Sequence, residues 1–119
     1  MITIQQAVLA LDANAKCVVY GDEPTNEEEY LARTKFFEDD RDQRGNEVEK
    51  ETPPFTWSEV SAKLAELKTA YDNNKYQRDR AMAYPSIQDQ LDMQYHDAVD
   101  GTSTWKDAIA AVKSANPKP

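Results

Sequence analysis

The chain has 119 residues, 39% of them hydrophobic, with a formal net charge of −8; this length suits one domain or two small layers around a modest core, and the charge argues against nucleic-acid binding, which needs a basic footprint. Cys17 is the only cysteine, so no intrachain disulfide can form, which fits a reducing compartment. The N-terminal "MITIQQAVLALDANAK" lacks the basic region of a signal peptide, and no apolar run approaches the ~20 residues of a membrane span, so a soluble protein is expected.

Thr3 with Gln6 forms a capping box, and Ile4, Ala7, Val8 and Leu11 follow at helical spacing. A short amphipathic helix is predicted over 4–13. "CVVY" (17–20) is β-branched and aromatic, and Gly21-Asp22 follows as a turn, so a buried strand is predicted there. Asn26 and Glu29 cap a helical turn over "EEEYLA". "RTKFFE" (33–38) either continues that helix or forms a second strand beside 17–20, and Thr34, Phe36 and Phe37 lean towards strand. From Asp39 to Pro54 the chain is charged, with Gly45-Asn46 in its middle, and reads as a mobile loop or a ragged hairpin.

The acidity belongs to one segment. Residues 21–51 hold 12 acids against 5 bases, a net of −7. Such a run reads either as a solvated loop or as an acidic strip for a basic partner.

Thr56 with Glu59 makes a second capping box, and Trp57, Val60, Leu64, Leu67 and Tyr71 form a short heptad-like seam. Asn74 and Arg78 break the seam, yet helix can run on to Tyr84, where Pro85 disfavours it. A rod over 57–84 would be roughly 42 Å long at ~1.5 Å per residue, too long to bury against so small a domain. Ser86 reads as the next N-cap, with Asp89 in the first turn. Ile87, Leu91, Tyr95 and Ala98 read as the buried stripe, and Gly101 as the stop. Thr104 with Asp107 is read as the cap of a last helix whose stripe is Trp105, Ala108, Ile109 and Val112.

The predicted fold class is therefore α+β, mostly α. Residues 1–51 form an acidic N-terminal α/β unit with a mobile loop, and residues 52–119 a helical unit. The helical unit consists of one long helix (57–84) and an αα-hairpin (87–99 and 105–115).

Chemical signals are sparse. Asp89, Asp92, His96 and Asp100 share a helical face and could offer carboxylates and an imidazole to a metal. That face lies opposite the predicted stripe, so a solvated face is the plainer reading, and an Asp92–His96 pair needs no ligand. Cys17 and His96 allow a dyad formally, but Cys17 sits in an apolar strand and reads as a small core residue. The three glycines are too scattered for a phosphate-binding loop. No catalytic, metal-ligating or cofactor-binding residues are assigned, and a non-enzyme is expected.

The aromatic residues say more. Tyr71, Tyr76, Tyr84, Tyr95, Trp57 and Trp105 gather in the helical half. They either fill a thin core or serve an interface, where Tyr and Trp are favoured. With the basic island Arg78 and Arg80, the candidate partner-binding residues are Tyr76, Arg78, Arg80, Tyr84 and Trp105.

One stretch carries a likeness. Arg78–Arg80 at a helix end is followed by Tyr84-Pro85-Ser86-Ile87, Asp89-Gln90-Leu91-Asp92 and Tyr95-His96. Trp105-Lys106 with Ile109 and a Lys118-Pro119 tail complete the series. This pattern resembles the C-terminal signature of small tailed-phage proteins of the tail assembly chaperone type. It extends over residues 76–119, more loosely over Trp57 to Tyr71, and least over Thr25 to Pro54. The resemblance implies a role in tail or tail-fibre assembly by protein–protein binding, in the host cytoplasm, with no catalytic residues and no cofactor. A tail or tail-fibre protein is the implied partner, with homo-oligomerisation compatible. The alternative it leaves is a permanent structural component of the virion tail, fibre or baseplate.

Overall fold

Local signals start most of the elements. In the computed structural model, which describes Met1 to Pro119, Thr3 and Gln6 complete a reciprocal capping box ahead of α1 (Ile4–Leu11). Asn26 Oδ1 accepts the Glu29 N–H at 2.9 Å ahead of α2 (Glu27–Arg33). Thr56 and Glu59 close a second reciprocal box ahead of α3 (Trp57–Asn73), at 3.2 and 2.8 Å. Each cap satisfies amide donors that a helix N-terminus leaves without partners.

Between these helices lie β1 (Lys16–Val19) and β2 (Thr34–Phe37), paired antiparallel with Cys17 opposite Phe36. The segment after Arg33 thus resolves as strand: α2 stops at Arg33, and β-branched Thr34 enters the sheet. The acidic segment beyond it is a ragged hairpin. Glu38 N–H donates to the Val48 carbonyl at 2.7 Å, Lys50 N–H donates to the Phe36 carbonyl at 2.7 Å, and Phe37 bridges to Glu49. Its tip is organised by Asp42, whose carboxylate accepts the amides of Arg44 and Asn46, each at 2.8 Å. These donors, that of Asn46 foremost, hold the Asp42 carboxyl below the usual carboxylate range.

The remaining helices are α4 (Lys75–Ala83), α5 (Ile87–Asp100) and α6 (Thr104–Ala115). The class is α+β, mostly α. The rod expected over 57–84 is broken at Asn74, where the backbone turns to φ −92°, ψ 2°. Consecutive Asn73 and Asn74 favour neither helix propagation nor apolar packing.

The chain divides into two compact units, Met1–Tyr71 and Asp72–Pro119. This moves the boundary from the expected position near residue 51. The reason lies in the core of the first unit, which joins Ile4, Ala7 and Val8 of α1 to Cys17, Tyr30, Phe36 and Val60. Trp57, Leu64 and Leu67 pack against this cluster, so most of the heptad-like seam belongs to the N-terminal core. Tyr30 lies at its centre. Its ring meets Phe36 edge-on at 6.4 Å and Trp57 at 5.7 Å, and its hydroxyl donates to the Phe55 carbonyl at 2.8 Å. Burial pushes the Tyr30 phenol up to about 12.

The C-terminal unit is built differently: no side chain in α4, α5 or α6 is fully buried. Helices α5 and α6 form the expected hairpin. Ser86 Oγ accepts the Asp89 N–H at 3.1 Å, and Gly101 ends α5 at φ 71°, the left-handed conformation that glycine adopts without a Cβ penalty.

Candidate functional site

The hairpin is fastened by a residue that carried no role in the sequence reading. Asp97, in the last turn of α5, sends its carboxylate into the start of α6. Oδ1 accepts from Thr102 Oγ1 at 2.5 Å, from Thr104 Oγ1 at 2.6 Å and from Thr104 N–H at 2.9 Å. Oδ2 accepts from Trp105 N–H at 2.8 Å. Asp97 therefore caps α6 from a neighbouring helix, where the dipole also favours a negative charge. The Thr102 hydroxyl first, then that of Thr104 and the two amides, hold its carboxyl well below the usual carboxylate range. This corrects the expectation that Thr104 caps α6. Ser103 occupies the N-cap position, without a side-chain bond to the helix amides, because Asp97 already takes those of Thr104 and Trp105. A carboxylate one turn before Gly101, followed by Thr-Ser-Thr, was the available sequence signal.

That fastening sets the rotation of α5. Gln90, Met93 and Asp97 are its half-buried positions, and Gln90 Oε1 accepts the Trp105 indole N–H at 3.2 Å. The expected buried stripe is turned outward instead. Ile87 is 69% exposed, Leu91 59%, Tyr95 65% and Val99 63%, and Ala98 is exposed with them. On α6 the expected stripe holds, with Trp105, Ala108, Ile109 and Val112 half-buried.

Each candidate partner-binding residue (Tyr76, Arg78, Arg80, Tyr84 and Trp105) is half-buried. Arg80 Nε donates to the Asn116 carbonyl at 2.8 Å and Nη2 to the Lys113 carbonyl at 3.3 Å, so this guanidinium caps the C-terminus of α6. It also lies 4.9 Å from the centre of the Tyr76 ring, at cation–π distance. Trp105 stands at the other end of α6, eight residues from Lys113, or roughly 12 Å along the helix. Tyr76 and Arg80 are thus brought together, whereas Trp105 is held apart by the length of α6. Tyr84 is extended at the end of α4 (φ −63°, ψ 142°), as the residue before a proline is expected to be.

The carboxylate–imidazole face of α5 is exposed, as expected. His96 Nε2 lies 3.5 Å from Asp92 Oδ1, and Nδ1 lies 3.9 Å from Asp100 Oδ2. No group of three or more His, Cys, Asp or Glu side chains is arranged to hold a metal ion. Cys17 is buried in the N-terminal core, and burial pushes its thiol up, away from the reactive thiolate.

The feature that stands out is the hairpin's open apolar surface. On α6, Trp105, Lys106, Ile109, Ala110 and Lys113 line a shallow, mostly apolar groove. On α5 the exposed stripe runs the length of the helix. No helix of the chain is long and apolar enough to cross a membrane. Compared with protein-family models, curated proteins and solved structures, the chain matches none of them.

Proposed function

We propose that this chain is a non-catalytic binding protein of phage tail or tail-fibre assembly, working in the host cytoplasm. One observation carries the binding part: four large apolar side chains, Ile87, Leu91, Tyr95 and Val99, stand 59–69% exposed along one helix. They do so in a unit with no fully buried side chain of its own. Contiguous apolar surface of this kind marks a protein interaction site. Helix-in-groove recognition uses anchors at this i, i+4 spacing. The partner class, a tail or tail-fibre protein, is supported by the resemblance carried by residues 76–119.

The partner surface shifts accordingly. Arg80 is engaged with the α6 carbonyls, so Tyr95 and Val99 on the outer edge of α5 replace it as the leading contacts. The test is co-expression with each tail and fibre protein of the phage, followed by co-purification. The wild-type chain is expected to retain one of them, and Tyr95→Asp with Val99→Asp to lose it while keeping its helical circular dichroism. A wild-type chain that retains none of these proteins would overturn the reading.

A further inference from the structure

The charges of the α5–α6 hairpin are sorted by side. Gln94 and Lys106 line one depression beside the α5–α6 turn, and Trp105 and Lys106 also line the apolar groove of α6, so the two adjoin. Ile87, Leu91, Gln94 and Ala98 recur on α5 at steps of four, three and four and share a helical face. Apolar positions of α5 and the groove of α6 therefore open to the same side.

The acids of the hairpin are turned away from that side or already engaged. Asp92 and Asp100 flank His96, and Asp89, seven residues before His96, shares their face of α5. Asp97 lines the depression, but both its oxygens accept hydroxyls and amides at the start of α6. Asp107, the one acid of α6, accepts the Ser103 hydroxyl at 3.0 Å. The charges left on the groove are Lys106 and Lys113. Both are exposed, and the ion pairs of the C-terminal unit, Lys75–Asp79 and those of His96, use neither. They stand seven residues apart, two helical turns or about 10.5 Å, with Ile109 and Ala110 between them. A chain of net charge −8 thus presents an apolar face whose free charges are both basic.

We propose that this face takes an amphipathic helix of another protein, with acidic residues two turns apart flanking its apolar side. This names the chemistry of the partner proposed above and rests on that reading. Positions seven apart return to the same edge of any α-helix, so a partner helix laid along α6 offers one carboxylate to each lysine. The lysine stems extend the apolar floor while the ammonium groups reach the rim, so neither charge of a pair has to be buried. Rim charges of this kind choose the partner and set the salt dependence, whereas anchors over Leu91 and Ile109 supply the affinity. A helix flanked by lysine or arginine meets like charge at both positions and is rejected.

Selection on the intact chain from a library of amphipathic helices tests this without any tail protein, so its outcome is separate from that of co-purification. The library keeps a leucine seam and leaves the flanking positions free among Asp, Glu, Ser and Lys. Helices with Asp or Glu at two flanking positions seven apart are expected to be enriched. Lys106→Glu with Lys113→Glu should turn the selection towards Lys, with helical circular dichroism unchanged because both residues are exposed. The same double variant should bind an acidic helix selected on the wild type about tenfold more weakly by fluorescence anisotropy. No enriched helix, flanks rich in Lys or Ser, or identical flanks on wild type and variant would overturn the proposal and leave the tail-protein reading to its own test. Self-association that the double variant abolishes would assign the face to a second copy, and binding to phosphatidylserine vesicles that it abolishes would assign the face to a membrane; either overturns the proposal.

Discussion

At the scale of single residues, Asp97 decides how the C-terminal unit is put together. One carboxylate accepts two hydroxyls and two amides across the α5–α6 turn. Hydrogen bonds to its charged form keep its folded pKa below the ordinary value of 3.8. The sign of the linkage follows. The unfolded chain binds this proton more readily, so the contribution of Asp97 is complete above the ordinary carboxylate pKa. It is lost as pH falls below that value towards the folded one. Asp97→Asn should lower the thermal midpoint at neutral pH, since an amide offers one acceptor oxygen where the carboxylate offers two. It should also flatten the acid-side decline in that midpoint. Melting curves of both proteins between neutral pH and pH 3 check this, and parallel declines would remove Asp97 as the fastener.

At the scale of elements, the caps are local and the faces are not. Ser86 and Gly101 bound α5 through contacts within a few residues, and both were legible in the sequence. Ser86→Ala should cost about 1 kcal/mol, the usual cost of a lost N-cap. Gly101→Val should cost about 1–2 kcal/mol, because a β-branched residue meets steric strain at φ 71° even though nothing lies within 4 Å of the added Cβ. Urea denaturation of each variant gives the values. The exposed face of α5 was not legible in the same way. Periodicity finds an apolar stripe over Ile87, Leu91 and Tyr95 but does not say what covers it. The sequence reading took the stripe as buried, whereas the hairpin turns Gln90 towards Trp105 of α6 and leaves Gln90, Met93 and Asp97 as the half-buried positions. The same limit applied to Arg80. Its sequence neighbours suggested an exposed contact, and only the fold brings the carbonyls of Lys113 and Asn116 to it. Helix α3 was easier to read because its seam meets a core within its own unit, where Val60 is fully buried.

At the scale of the whole molecule, the two units hold themselves together by different means. The N-terminal unit has a conventional interior around Tyr30, Ile4, Val8 and Val60. The C-terminal unit relies on carboxylate and guanidinium caps and on half-buried Trp105 and Ile109, and it leaves the apolar face of α5 open. The proposed function requires a tail or tail-fibre protein to cover that face, and amide hydrogen exchange of the intact chain with and without the co-purified protein measures this. Amides of α1, β1 and β2 should exchange slowly with or without that protein, because their protection comes from a core within the chain itself. Amides of α5 should be weakly protected in the free chain and gain protection as the partner protein is added, by mass action on the complex. Protection of α5 that the partner protein leaves unchanged would contradict a binding role for this face.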